Sequence, residues 1–361
     1  MRALSHGDIG AYLHAHPVMG PFATIFQAPF SLLGGSALAD YRWASFGCLL
    51  ALAGLGWYLA AVARRRGAGS LCQALIAILC VLNPLTLEAL AGGHPEELLT
   101  AALAVGATVV ASEGHAGRAA ILLGLAIAAK QWAVIAIFPV LMALPARRLW
   151  AAAVSAAIVA ALTLPGLLVA PSSFLDTQGN AASGGRISTI WSVWYPVSPP
   201  TIRHLPVPGL TNVVHEIPGP LQSLTHPLIV ATVLLLPLAL WAWRGRFGLD
   251  AERALALLAL LALLRCVLDP VDNLYYHVPL LVALLGWDAL SAERLPLRGL
   301  AATAVSLLFW RWSHDLGSLT LFNAVYLAVL LGAALAIAAQ LVRRGEATRA
   351  RPLSARDLAR A

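Results

Sequence analysis

The feature that most constrains this chain is a series of long apolar runs with almost no charge inside them. They lie at about 43–63, 71–90, 151–169, 227–243, 255–267, 277–290, 300–309 and 320–342. A helix needs about 20 apolar residues to cross the ~30 Å hydrocarbon core of a bilayer. Most of the runs approach that length; 300–309 is short. Soluble domains carry roughly 25% charged residues, whereas charged residues are 11% of these 361 and hydrophobic ones 60%. With a mean hydropathy of +0.79, a soluble or disordered chain is excluded, and so, despite a pI near 9.7, is a nucleic-acid binder. The reading is an all-α fold, a polytopic transmembrane helical bundle forming one integral membrane domain over 1–361.

Between Glu97 and Pro145 the apolar pattern is interrupted. Runs at 98–112, 119–129 and 132–144 are each shorter than a span, and Lys130-Gln131 separates the last two. Arginine distribution decides the threading, because cytoplasmic loops carry the excess of positive charge. With 119–144 as two short helices meeting at Lys130, 17 arginines share one side. Arg2, Arg42, Arg186, Arg203, Arg265 and Arg311 take the other. This gives about 11 spans, short broken helices at Lys130, and a basic cytoplasmic tail at 343–361. Residues 1–42 then form an external loop that no span precedes, so an upstream first helix is expected, making 12. Broken half-helices at membrane depth require a protein-covered or water-filled cavity, expected around Lys130.

The chemistry collects outside: in 1–42, 91–97, the Lys130 turn, the long external loop 170–225, 265–276 and 311–318. Eight of the ten histidines lie there or at the membrane border: His6, His14, His16, His94, His204, His215, His277 and His314. The cytoplasmic loops are short and hold no nucleotide-binding glycine loop. Asp8, near Tyr12, precedes a run (Phe22, Ile25, Phe26, Phe30, Leu33) whose spacing predicts a helix lying flat on the membrane. Asp8 reads either as a loop residue capping that helix or as a general base toward a hydroxyl. His94-Pro95-Glu96-Glu97 places two carboxylates and an imidazole at a membrane border, more than a turn needs. Lys130, the sole lysine, calls for an anionic partner, either a phosphate or an acidic residue. The stretch from Arg265 through Asp269, Asp272, Tyr275, Tyr276 and His277 reads as the lining of a polar site. Trp191 and Trp194 sit in a segment whose Gly, Pro and Ser content predicts irregular structure; they suit sugar stacking or the interfacial aromatic belt. Cys48, Cys72, Cys80 and Cys266 show no paired spacing and read as buried free thiols.

Three of these stretches carry a family resemblance: Gly93-His94-Pro95-Glu96-Glu97, then Gly124 to Lys130-Gln131-Trp132 with Pro139, and Asp269-Pro270-Val271-Asp272-Asn273 with Tyr275-Tyr276. The chain resembles the GT-C class of polytopic glycosyltransferases and, more closely, the mannosyltransferase-like family 87 proteins of actinobacteria. That resemblance implies transfer of a sugar, mannose first, from a polyprenyl-phosphate donor to a lipid or glycan acceptor. Transfer would occur with inversion on the extracytoplasmic face of a bacterial plasma membrane. The family's base is an acidic residue in the first external loop, a position that Asp8 matches if a first helix precedes this chain. Lys130, Arg186 and Arg265 would bind the donor phosphate. Tyr12, His94, Glu96, Glu97, Trp191, Trp194, Asp269, Asp272, Tyr275, Tyr276 and His277 would line the substrate or support the site. The scheme calls for no cofactor and no metal. A transporter or flippase for a lipid-linked or small polar solute is the alternative, and a non-catalytic scaffold a third; a transporter needs polar groups reaching both faces.

Overall fold

The computed structural model describes residues 2–15, 19–183, 186–204, 211–245, 247–291, 293–315 and 317–342; His16 and the tail 343–361 lie outside these residues. The chain opens with α1 (Arg2–Ser5), α2 (Ile9–Ala15) and α3 (Pro21–Ser31). There follow α4 (Ala37–Arg65), α5 (Ser70–Val81), α6 (Pro84–Ala91), α7 (Glu96–Ser112), α8 (Ala116–Ala129), α9 (Ile137–Ala143), α10 (Arg148–Val169) and α11 (Pro171–Ser183). Three short strands, β1 (Ile187–Ser188), β2 (Pro200–His204) and β3 (Thr211–Glu216), interrupt the helical order. The chain then continues through α12 (Gly219–Arg244), α13 (Ala251–Leu268), α14 (Val278–Ser291), α15 (Leu297–His314) and α16 (Leu319–Val342).

Among the described residues, six helical stretches are long and apolar enough to cross a membrane: Ala37–Arg65, Ser70–Ala91, Arg148–Val169, Gly219–Arg244, Leu274–Ser291 and Leu319–Val342. The protein is nearly all-α and multi-pass. The second stretch bends at Asn83, whose side chain accepts from the Thr86 amide and donates to the Leu79 carbonyl, both at 2.9 Å. Pro84 then opens α6 at the position where its missing N–H costs nothing. The expected break at Lys130 is present. Residue 130 leaves α8 with extended backbone, φ −156° and ψ 132°, and a 3-10 turn over Gln131–Ala136 leads into α9. The chain reverses there, because a methyl placed on Gly114, beyond the far end of α7, would lie 3.9 Å from Pro145, beyond α9.

The helices alternate between two ends of the bundle. At one end Arg65 pairs with Glu113 (2.6 Å), the Leu249 amide donates to the Met142 carbonyl (2.8 Å), and Ser291 donates to Glu252 (3.3 Å). At the other, Tyr41 donates to the Leu90 carbonyl, Trp310 donates to Glu88, and the Gly20 amide donates to the Ala129 carbonyl. Burial is reversed relative to a soluble protein only on the outside. Helices α7, α13 and α14 are buried almost throughout, while α10, α12, α15 and α16 turn Leu168, Leu235, Leu308 and Leu335 outward. Those exposed leucines suit hydrocarbon, and small residues let the helices behind them close in. Gly124 shows this: a Cβ there would meet the Ile158 Cβ at 2.9 Å, so α8 and α10 approach too closely for a larger residue.

Two sequence expectations are corrected, and a third element is located. The helix expected to lie flat is α3; it docks on α4 and α8, burying Ala23, Thr24, Gln27, Ala28 and Ser31 and leaving Ile25 exposed. Its small, mildly polar face fits the bundle better than its phenylalanines do. Residues 170–225 are not irregular throughout: α11 and an antiparallel sheet of order β1-β3-β2 occupy them. Thr201, Ile202, Val213 and Val214 supply the β-branched residues of that sheet, a signal obscured by neighbouring prolines. Finally, α13 runs to Leu268, so Arg265 and Cys266 are helical and not part of a loop.

Candidate active site

The turn between α6 and α7 sets up the first cluster. Gly93 takes φ +84°, a conformation that a side chain would strain, and the chain re-enters helix with Glu96 and Glu97 in the first turn of α7. Carboxylates suit that position because the unpaired N–H groups of a helix start carry positive partial charge. Both are buried: Glu96 is 2% exposed and Glu97 0%. Lys130 reaches across from the helix break, its Nζ 2.8 Å from Glu96 Oε1 and 2.8 Å from Glu97 Oε1. Trp132, two residues on, donates its indole N–H to Glu97 Oε2 at 2.7 Å. His94 Nδ1 lies 3.1 Å from Glu96 Oε1, and its ring stacks on Tyr275 at 4.7 Å.

Burial opposes ionisation of Glu96, but the hydrogen bond from His94 and the charge and hydrogen bond of Lys130 outweigh it. The carboxyl is held down at about 2. Burial likewise works against the Lys130 ammonium, and Glu97 and Glu96 more than reverse it, raising the group. Lys130 is therefore a fixed cation with three N–H donors. Two of them face carboxylates. Arg265 completes the charge balance from the last turn of α13, its guanidinium 4.4 Å from the centre of the Tyr276 ring and 5.3 Å from that of Trp132. It is buried, and its Nη1 has no hydrogen-bond partner among the described residues. Glu96 Oε2 is also buried and unpartnered. Buried polar groups are nearly always paired, so each exception asks for an explanation.

A second cluster lies behind the first. Tyr326 of α16 places its hydroxyl 2.9 Å from Asp272 Oδ2 and 2.8 Å from His277 Nε2. His277 Nδ1 sits 3.1 Å from the Leu274 carbonyl, which only accepts, so Nδ1 carries hydrogen. The Tyr326 hydroxyl donates to Asp272 Oδ2, and His277 Nε2, the ring nitrogen without hydrogen, faces the same hydroxyl. Burial first, and then the charge of Asp269, push the Asp272 carboxyl well above the ordinary range.

Comparison with known proteins decides the family. The sequence profile of glycosyltransferase family 87 matches residues 19–270. The chain belongs to glycosyltransferase family 87. No curated protein and no solved structure matches it. The matched stretch contains Glu96, Glu97, Lys130, Arg265 and Asp269. Asp8, Asp272, His277 and Tyr326 fall outside it.

This glycosyltransferase thus brings together His94, Glu96, Glu97, Lys130, Arg265, Tyr275 and Tyr276, and behind them Asp272 and His277. Asp269 is half-buried at the mouth of its loop and accepts from the Val271 amide at 2.9 Å. Asp8 caps α2, accepting from the Ala11 amide at 2.9 Å, and is exposed. Tyr12 donates to the Pro21 carbonyl at 3.3 Å. Arg186 is exposed beside β1, where its carbonyl accepts from the Ile217 amide at 2.7 Å. Trp191 and Trp194 are not surface platforms. Trp191 is buried against Phe309, Phe322 and Tyr326, and Trp194 donates its indole N–H to the Leu268 carbonyl at 2.7 Å. Their loop is bolted to the bundle, so the rings point inward. Among the groups that sequence reasoning missed, Trp132 stood next to the Lys130 motif. Tyr326 and Asn323 share one face of an otherwise apolar helix at i, i+3 spacing, a signal available in the sequence.

Proposed function

We propose that this family 87 enzyme transfers a sugar, mannose first, from a polyprenyl-phosphate donor to a lipid or glycan acceptor, with inversion. The end of the bundle carrying Glu96, Lys130 and Arg265 is its reacting face. The observation that carries this reading is unspent donor capacity: the third N–H of Lys130 and the unpaired Nη1 of Arg265, both beside Glu97. A departing phosphate gains negative charge, and preorganised cations in a water-poor site stabilise that charge strongly. Glu96 and Glu97 keep Lys130 ionised and aimed. Arg186 supplies a further cation from the strand segment.

Arg65, Arg148, Arg253 and Arg298 lie at the opposite end, so the positive-inside rule assigns that end to the cytoplasm and the reacting face to the outside of a bacterial plasma membrane. Counting the shorter helices α7, α8, α9, α13 and α15 with the six long ones gives the eleven-pass reading. In it 1–42 and 170–225 are external and the basic tail 343–361 is cytoplasmic. A transporter or flippase would present unspent polar groups at both ends; the site cluster here sits at one.

Asp8 is the proposed base. It removes the proton from the acceptor hydroxyl as that oxygen attacks the anomeric carbon, while the phosphate leaves toward Lys130 and Arg265. The segment that follows Asp8 reaches this neighbourhood, since the Gly20 amide bonds the carbonyl of Ala129, one residue from Lys130. The test is sugar transfer from a polyprenyl-phosphate donor in sealed vesicles of known orientation. General-base catalysis contributes on the order of 10²–10⁴-fold. Asp8→Asn is expected to lower turnover by about that factor with donor binding retained, and only the face bearing Asp8 should use donor. A near-wild-type rate for Asp8→Asn would move the role of base to another carboxylate.

A further inference from the structure

The second cluster contains a feature that sugar transfer does not use. Cys266 Sγ, an Asp272 carboxylate oxygen and a His277 imidazole nitrogen all lie within 4.8 Å of one another, and all three residues are buried. Asp272 is 0% exposed, yet its Oδ1 has no hydrogen-bond partner among the described residues. His277 Nε2 is 3.9 Å from Asp272 Oδ2, a spacing that two ligands of one ion reach after a small closing movement. The three come from separate pieces of backbone: the last turn of α13, the loop after it, and the 3-10 turn Leu274–His277.

We propose that Cys266, Asp272 and His277 form a binding site for one zinc ion, with the Tyr326 hydroxyl as the nearest group for a fourth position. Donor chemistry selects the metal. A thiolate, an imidazole and a carboxylate together suit zinc, whereas calcium and magnesium take oxygen ligands. Charge balances: the thiol and the carboxylic acid each give up a proton, and two negative ligands then offset the 2+ ion in a buried place where an uncompensated charge is costly. His277 is already in the tautomer the site needs, since Nδ1–H is held by the Leu274 carbonyl and Nε2 is left to bind metal.

All three ligands are buried, so the role proposed for the ion is structural. It would fasten the end of α13 to the loop over 269–273, onto which Thr189 also bonds through its amide to Pro270 (3.0 Å) and its hydroxyl to the Asp272 carbonyl. The residue before Cys266 is Arg265, and the one before His277 is Tyr276, whose ring lies under the Arg265 guanidinium. The ion would thereby fix Arg265 on its aromatic seat. The inference does not depend on the identity of the transferred sugar or on Asp8.

The experiment uses the full chain purified in detergent, exposed to zinc, desalted, and assayed for bound metal by elemental analysis. Wild type and the control Cys80→Ala are expected to retain about one zinc per chain. Cys266→Ser and His277→Gln should retain less than about a tenth. Cobalt loading of wild type gives a second readout that no substitution can confound by misfolding: a thiolate-to-cobalt charge-transfer absorption, removed by competing zinc. Wild type that holds less than about a tenth of an equivalent, equal retention by Cys266→Ser and wild type, or a cobalt spectrum without the thiolate band would each overturn the site.

Discussion

The two ends of the bundle each hold an arginine over an aromatic ring beside a buried carboxylate, and they differ in one respect. Arg298 lies 4.4 Å from the Trp287 ring centre, as Arg265 does from that of Tyr276. Both oxygens of the Asp288 carboxylate are matched, Oδ1 accepting from Arg298 Nη1 and Oδ2 from the Gly299 amide, both at 2.8 Å, and the group left over is the neutral Trp287 N–H. Arg298 also pairs with Glu293 at 3.2 Å. Around Glu96 and Arg265 the hydrogen bonding is open, with a carboxylate oxygen and a guanidinium nitrogen buried and unmatched. A closed cluster joins two helices, α14 to α15. An open one keeps capacity for something the chain does not supply.

That contrast can be strained hardest at the closed end. Asp288→Ala would leave Arg298 without its buried partner, and breaking such a pair costs about 3–5 kcal/mol. Arg298 is partly exposed, with 30% of its side chain accessible, so the lower part of that range is expected. Thermal unfolding of the detergent-purified chain measures it, and sugar transfer per folded molecule should stay at the wild-type level. Loss of transfer without loss of stability would erase the distinction between the ends.

A smaller effect compares two buried tryptophans. Trp132→Phe strands Glu97 Oε2 by removing the indole N–H that bonds it at 2.7 Å, at a cost of about 1–3 kcal/mol. The Trp287 N–H has no partner among the described residues, so Trp287→Phe forfeits no hydrogen bond, only packing and part of the contact with Arg298. The melting temperature of Trp132→Phe should fall further than that of Trp287→Phe; the reverse order would mean that hydrogen bonding does not distinguish these sites.

The smallest effect is a pH dependence. With its carboxyl at about 2 in the folded chain, below the roughly 4.3 of a free glutamate, Glu96 binds its proton more weakly folded than unfolded. Its stabilising contribution is complete above the unfolded value and is lost as pH falls through the folded one. Acidification from about pH 6 to about pH 3 should therefore lower the melting temperature of wild type more than that of Glu96→Gln. Parallel curves would contradict the ion pair with Lys130.

Much of this arrangement is legible in the sequence. A sole lysine at a break between half-length apolar runs demands an anionic partner, and Glu96 and Glu97 stand out as surplus carboxylates. What linear sequence could not give is which anion Lys130 meets, because carboxylates 33 and 34 residues away in the chain become its neighbours only when α7 and α8 pack as a hairpin. Asp272, His277 and Tyr326 fared similarly. The first two share one polar stretch, but the hydroxyl joining them comes from α16, 49 residues beyond His277. The tryptophans of the 170–225 segment misled for a compositional reason: Gly, Pro and Ser around Trp191 read as solvent-facing loop. Asn323 instead draws that loop inward by donating to the carbonyls of Ile190 and Ser192 at 2.8 and 3.0 Å.

The most direct test of the open and closed ends is the apparent KM for a polyprenyl-phosphate sugar in Arg265→Gln and Arg298→Gln, each normalised to folded protein. A hydrogen bond to a charged group is worth about 1.5–3 kcal/mol, which corresponds to roughly tenfold to a hundredfold in affinity. Arg265→Gln is expected to raise the KM by about that factor, and Arg298→Gln to leave it unchanged. An unchanged KM for Arg265→Gln, or an equal rise in both variants, would contradict the assignment of the open end to the donor phosphate.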